Sequence, residues 1–334
     1  MRFGFGHVPS EYFEHHVQLV VLAEELGYDY AWLPDQTFFR DPYVMLGLCA
    51  ARTNRIRLGV GVTNPYTRHP SIAARAVATF DEVSRGRAVL GIGAGNNKEL
   101  LGPLGIDQGR IALKCREMLL VVREMLSGRP VVFRGEEFTV DSAQIEFDAR
   151  PDLQLYLAGR GPMILATAGE VADGAIIGGL CSEKGLAYAF DLIEGGATKA
   201  GRTLSELDIV SWVTVHLTNQ RKAVLDNLRP VVGHIMGGAP EVVLRTLGFE
   251  PEFVALLKKK YSEGGPQAVA PMITDQAIDA FAIVGDADEC IERIRQLEKW
   301  GVTQLSLLMP PGTTDDYAAI LKAFAAEVMP EFAS

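Results

Sequence analysis

Along most of its length the chain alternates short runs rich in β-branched, aromatic and glycine residues with longer amphipathic runs, the βαβα order of a parallel sheet or barrel. The β-type runs fall at residues 3–5, 30–33, 56–62, 88–92, 153–157, 174–177, 208–215 and 304–308. Helical runs follow at 12–26, 43–52, 71–83, 110–126, 162–169, 184–200, 220–233 and 289–300, with a last one at 316–328. In the first of these Val17, Val20, Val21, Ala23 and Leu26 share a face, and Gly27 stands where a C-cap belongs. Eight strands, each followed by a helix, in 334 residues fit an α/β fold of the (β/α)8 TIM-barrel type with insertions, about 250 residues being the core of such a barrel. One domain, 1–334, is expected. A β excursion at 129–147 turns at Gly135-Glu136, and a mostly helical excursion at 237–276 lies over the barrel mouth or at a subunit contact.

Composition narrows the chemistry. No apolar run approaches the roughly 18 residues that cross a bilayer, and the first residues lack a basic and then apolar leader, so a cytoplasmic protein without a membrane role is expected. A net charge of −10 argues against a nucleic-acid surface, which needs a basic excess. Cys49, Cys115, Cys181 and Cys290 are far apart in sequence and read as buried reduced thiols. The chain contains no HExxH, GxSxG or GxxxxGK[ST], and no metal site is expected. What remains is an organic cofactor acting on a small molecule.

Barrel enzymes build their sites at the C-terminal ends of the strands. There this chain places Gly6-His7, Pro34-Asp35-Gln36, Thr63-Asn64 and Gly93-Ala94-Gly95-Asn96. The run 91–95 is not a dinucleotide fingerprint, because Asn96 stands where its third glycine belongs. Its glycines instead let a flat ring approach the backbone. Gly159-Arg160-Gly161 opens a helix at Pro162, and with Gly178-Gly179 it forms an anion pocket. Asp35 and His7 follow neighbouring strands and are the candidate proton-handling pair, able to hydrogen-bond to each other; the plainer alternative is that Asp35 braces its loop. Gln36, Phe38 and Phe39 are candidates to meet substrate and exclude water. His15 and His16, on the first helix, are expected to be solvated.

Taken together, the segments at 27–35 (GYDYAWLPD), 57–70 (RLGVGVTNPYTRHP), 81–93 (DEVSRGRAVLGIG), 168–174 (AGEVADG) and 282–285 (AIVG) resemble the bacterial luciferase-like superfamily, and its deazaflavin branch most. The resemblance runs from residue 2 to about 330. Its TNPYTRHP run is similar to that of the methylenetetrahydromethanopterin reductases, which use coenzyme F420. This implies a barrel holding a flat tricyclic cofactor at its mouth, and hydride transfer between F420 and a small organic substrate, with a C1-carrying pterin among the candidates. It also implies a non-prolyl cis peptide at Gly61–Val62, ring contacts from Thr63, Asn64, Gly93, Ala94, Gly95 and Asn96, and phosphate contacts from Ala158, Gly159, Arg160, Gly161, Gly178 and Gly179. Where the superfamily's sugar-phosphate dehydrogenases carry His and Glu, this chain has Gln36 and Asn96; where the reductases end strand one in Glu, it has Gly6. An FMN-dependent monooxygenase is the alternative enzyme, and a non-catalytic cofactor-binding barrel the alternative of another class. A homodimer or higher homo-oligomer is expected.

Overall fold

The computed structural model describes residues 1–95 and 100–332. In chain order its elements are β1 (Arg2–Gly6), α1 (Phe13–Glu25), β2 (Tyr30–Leu33), α2 (Pro42–Ala50), β3 (Arg57–Thr63), α3 (Pro70–Ser84), β4 (Ala88–Gly93) and α4 (Ile111–Leu126). A hairpin, β5 (Val131–Arg134) and β6 (Thr139–Ala143), precedes β7 (Leu155–Gly159), α5 (Pro162–Val171), β8 (Gly174–Gly178), α6 (Glu183–Lys199), β9 (Asp208–Leu217) and α7 (Arg221–Gly238). The chain closes with α8 (Glu241–Thr246), α9 (Pro251–Val269), α10 (Asp275–Phe281), β10 (Ala282–Gly285), α11 (Ala287–Lys299), β11 (Gln304–Leu308) and α12 (Thr314–Glu327).

Eight strands close a parallel ring in the order β1-β2-β3-β4-β7-β8-β9-β11, with β11 returning to β1. These are the eight runs read from the sequence. The chain also has a strand that this reading omits: β10 pairs with β9 at Thr214–Leu217, beyond the stretch of β9 that β11 covers. Its four buried residues, directly after α10, carry no alternation to distinguish a strand from a helix end. The two excursions are the expected hairpin and the helices α8 to α10.

The strand sequences explain how the barrel is filled. RFGFG, RLGVGVT and AVLGIG each carry two glycines at alternate positions, and successive strand residues face opposite sides. Phe3, Phe5, Leu58, Val60, Leu90 and Ile92 belong to the large core shared with the helices. The glycines turn inward, where Tyr30, Trp32, Tyr156, Ile176 and Val210 form a second, separate core. A Cβ on Gly59 would lie 2.3 Å from the Trp32 ring, and one on Gly6 would lie 2.0 Å from Trp212. Trp32 stacks on Tyr30 (ring centroids 5.8 Å apart) and meets Tyr156 edge-on at 5.5 Å. Large rings from β2, β7 and β9 therefore occupy the volume that glycines on β1 and β3 leave.

Below them the N-terminal end of the barrel is closed by a polar cluster. Asp208 accepts hydrogen bonds from Arg2 (2.6 Å), the Tyr156 hydroxyl (2.8 Å) and Thr303. The mouth at the other end is left for ligands.

Candidate active site

A cavity of about 320 Å³ opens at the C-terminal mouth. Its walls come from the ends of β2 (Pro34, Asp35, Gln36), β3 (Gly61, Val62, Asn64), β4 (Gly93, Ala94, Gly95), β7 (Ala158, Gly159, Arg160) and β8 (Gly178). The three glycine-bearing loops expected to converge do so. Trp212, Ile176 and Leu100 complete the lining.

The strand-three wall is a ridge. The Gly61–Val62 peptide is cis, and the β3–β4 register shifts between Val60 and Thr63. The glycines of β4 make room for that ridge: a Cβ on Gly93 would fall 2.6 Å from the Val62 side chain, and one on Gly91 3.0 Å from it. Glycine in this strand thus serves the Val62 side chain first. Beyond the ridge, Asn64 Oδ1 accepts from the backbone N–H groups of Tyr66 and Thr67 (both 3.0 Å) and from the Thr67 hydroxyl (3.1 Å). With its oxygen engaged by the loop, Asn64 has its amide N–H₂ to offer the cavity.

Asp35 stands opposite in a charged network. Thr63 donates its hydroxyl to Asp35 Oδ2 at 2.9 Å, and Arg68 Nε donates to the same oxygen at 2.8 Å. Arg68 also pairs with Asp41, the N-cap of α2, and lies 4.7 Å over the Tyr43 ring. Burial works against the Arg68 charge, but Asp35 and Asp41 outweigh it and hold the guanidinium above its ordinary pKa. Asp35 therefore meets the cavity as a paired carboxylate, with Oδ1 left for a ligand.

At the far end Arg160 donates to the Gly178 carbonyl at 3.3 Å, joining the two glycine loops expected to form an anion pocket. Among the described residues no carboxylate pairs with it, and burial pushes its pKa down to about 10. Gly161 is the N-cap of α5 and supplies no side-chain cap, with Pro162 in the first turn, so the remaining first-turn N–H groups are open to an anion. Lys258, from α9, ties the end of α7 to this rim by donating to the carbonyls of Gly237 (2.7 Å) and Met236 (3.2 Å).

Several expected members stand elsewhere. Thr63 is buried behind the wall, under Asp35. Gly161 and Gly179 flank the cavity, packed near Pro240 and Ile235. Asn96 lies outside the described residues. Phe38 and Phe39 are 59% and 46% exposed and do not close the cavity. His7 requires the largest correction. Because Gly6 faces the barrel interior, His7 faces outward, stacks on Phe5 and bonds His16, so the expected His7–Asp35 bond is absent. His16, expected in solvent, is fully buried for the same reason. Among the described residues no three His, Cys, Asp or Glu side chains converge as metal ligands.

Sequence reasoning passed over Arg68 and Trp212. Arg68 sits inside the TNPYTRHP run, where only its charge near Asp35 marks it; Trp212 shares the inward face of β9 with Val210 and Asp208, and that alternation marks it.

Comparison with known proteins agrees with this geometry. The family described as luciferase-like monooxygenase matches residues 2–304. A 5,10-methylenetetrahydromethanopterin reductase of Archaeoglobus fulgidus is 34% identical over 335 residues, covering 99% of both chains. An F420-dependent glucose-6-phosphate dehydrogenase of Nakamurella multipartita is 27% identical, over 99% of this chain and 96% of that one. The structure of a coenzyme F420 dependent tetrahydromethanopterin reductase from Methanopyrus kandleri superposes with a TM-score of 0.88 at 30% identity, covering 99% of each chain. With its barrel, its ridge and matches that span its length, the chain belongs to the luciferase-like monooxygenase family.

Proposed function

We propose that this protein is a coenzyme F420-dependent oxidoreductase that moves a hydride between the cofactor and a small organic substrate, with a C1-carrying pterin as the leading substrate. The observation that carries the reading is the pairing, in one cavity, of a glycine-walled ridge at Gly61–Val62 with a half-buried cation, Arg160, that has no carboxylate partner among the described residues. That combination fits a flat ring joined to an anionic tail. Gly93, Ala94 and Asn64 would border the ring, while Arg160, Gly159 and the first turn of α5 would take a phosphate.

When bound, the cofactor supplies the hydride chemistry. The protein's own contribution is orientation, exclusion of water and an atom that handles the accompanying proton. Arg68 and Thr63 occupy Asp35 Oδ2, so Oδ1 is the atom that would pass the proton accompanying the hydride, to the substrate in reduction and from it in oxidation. Gln36, beside it, would orient the substrate. His7 has no place in this chemistry.

The reading also carries a cellular setting and an assembly. Four buried free thiols support a reducing cytoplasm. No helix among the described residues is long and apolar enough to cross a membrane. An apolar face on α2 supports a homodimer. The test is a titration of purified protein with F420 and with FMN, followed by turnover of 5,10-methylenetetrahydromethanopterin with reduced F420. Binding of F420 in preference to FMN, with pterin-dependent reoxidation, is expected. Preference for FMN would sink the cofactor assignment, and F420 binding without pterin turnover would sink the substrate.

A further inference from the structure

The indole of Trp212 occupies space that belongs, on the barrel's inner face, to two other strands. A Cβ built on Gly6 would lie 2.0 Å from Trp212 Cζ2 and 2.7 Å from Cε2, and one on Gly61 would lie 2.8 Å from Cη2. Gly61 opens the cis peptide of the ridge, so the ring reaches from β9 across to the base of the ridge. Its other neighbour is Trp32, with ring centroids 6.1 Å apart. Trp32 is fully buried in the interior core, whereas Trp212 is partly exposed and lines the cavity.

No side chain from β1 can therefore enter the cavity floor while this indole is present, since Gly6 is the inward residue at that end and has no room for even a methyl group. The indole's backbone is fixed as well. Gly179 N–H donates to the Trp212 carbonyl at 2.8 Å, tying the strand to the loop beside Arg160. The cavity thus has one aromatic wall, rigidly backed by a second tryptophan.

We propose that Trp212 is the specificity-determining residue of the cavity: it sets how deep a planar ligand enters the barrel and provides the aromatic wall against which that ligand packs. The inference rests on the planar-cofactor reading above. It goes beyond that reading by assigning the depth and the packing surface to a residue of β9, a strand that contributes none of the ridge or glycine loops. An aromatic ring in contact with a planar ligand contributes both buried area and favourable ring geometry, and removing it leaves a void that the backed-up core cannot collapse to fill.

The test uses F420 and FMN as probes, each followed by its own absorbance and fluorescence, on wild type, Trp212→Phe and Trp212→Ala. Trp212→Phe keeps most of the wall and should hold affinity for the preferred ring within about threefold, whereas Trp212→Ala should lose about 10- to 100-fold. Free indole added to Trp212→Ala should return most of that loss by refilling the void. A thermal-melt cycle checks the packing independently: Gly6→Ala should lower Tm in the wild-type background and have little effect beside Trp212→Ala. Wild-type affinity and an unchanged bound-ring spectrum in Trp212→Ala would overturn the proposal while leaving the cofactor reading intact. Should Trp212→Ala fail to fold, Trp212→Leu decides: it keeps an apolar side chain but not the aromatic wall, and wild-type affinity in that variant would overturn the proposal equally. If wild type binds neither ring, both readings fall.

Discussion

Asp35 and His7, which follow neighbouring strands, fall on opposite sides of the barrel wall. Asp35 is tied by Arg68 and Thr63 at Oδ2 and lines the cavity. Asp35→Asn keeps the Thr63 bond and the loop, so it should lower kcat by about 100-fold or more while F420 affinity stays within about threefold. A loop brace would show the reverse, with cofactor affinity or Tm falling and kcat preserved in the bound fraction. His7, which sequence position alone assigned to the same chemistry, is a stability group. Glu11 N–H donates to His16 Nε2 at 3.0 Å, so His16 carries its proton on Nδ1 and donates to His7 Nε2 at 2.9 Å. His7 Nδ1 then holds the remaining proton without a partner. Burial, and then the neighbouring His16, push the His7 pKa down to about 3. Because the unfolded chain, with an ordinary histidine, binds that proton near pH 6.5 and the folded one does not, stability is full above pH 6.5. It is lost as pH falls from there toward 3. His7→Gln removes this titration and should flatten the loss by about 2 kcal/mol between pH 6.5 and 5 in urea titrations. Its kcat at neutral pH should be that of wild type, and a large drop would return His7 to the active site.

At the scale of elements, what could be read from the sequence depended on whether one residue type carried one cause. The eight barrel strands, the hairpin at 129–147 and Gly27 as the residue that ends α1 (φ +95°) were legible because alternation, turn chemistry and helix stops are local. The convergence of the glycine loops was legible, since Gly61, Gly93, Gly95, Ala158 and Gly159 line one cavity. The direction in which a side chain points was not. His7 follows a strand at the mouth like Asp35, yet it faces the helices, because β1 ends with Gly6 inward. Likewise Asp81 and Asp173, within segments that carry the family resemblance, lie away from the site. Asp81 clamps Arg150 (2.8 Å) and the start of β4, and Asp173 accepts from Leu155 N–H (2.8 Å). The helix layer has its own spacing rule. A Cβ on Gly169 of α5 would lie 1.9 Å from the Ile193 carbonyl, and one on Gly196 of α6 would lie 1.9 Å from the Ala166 carbonyl, so the two helices touch through backbone. Gly169→Ala must push them apart, and it should cost about 1–3 kcal/mol in a chemical melt; because α5 carries the anion-facing first turn, phosphate-bearing cofactor affinity should fall with it. Unchanged stability would mean that α5 and α6 do not meet backbone to backbone at Gly169.

At the scale of the whole molecule, α2 presents an apolar surface that its own fold does not explain. α2 reads PYVMLGLCA, apolar on every side, and a helix of that kind is normally buried all round. Here Met45, Leu46 and Cys49 are buried, but Val44 is 66% and Leu48 41% exposed, with Gly47 between them leaving a flat strip. Phe38 and Phe39, read from the sequence as a shield over the cavity, lie just before this helix in the chain and are exposed, as is Ile72 on the next helix, α3. Of the thirteen exposed large apolar side chains among the described residues, these five lie on adjoining segments, and the grouping argues for a covered face. The simplest cover is the same strip on a second copy, related by a two-fold axis that brings α2 against α2, since a neutral apolar strip is complementary to itself. Asp41 caps α2 and pairs with Arg68, which in turn holds Asp35, so such a contact would stiffen the network at the cavity wall. Sedimentation of wild type at micromolar concentration should therefore give a dimer, and Val44→Glu with Leu48→Glu should give a folded monomer, since four like charges would then face one another across the axis. Because these substitutions lie on the outward face, Tm should change little beyond the loss of the dimer's concentration dependence. A monomeric wild type, or a dimer indifferent to both substitutions, would move the contact elsewhere, and the helical excursion from α8 to α10 would be the next surface to alter.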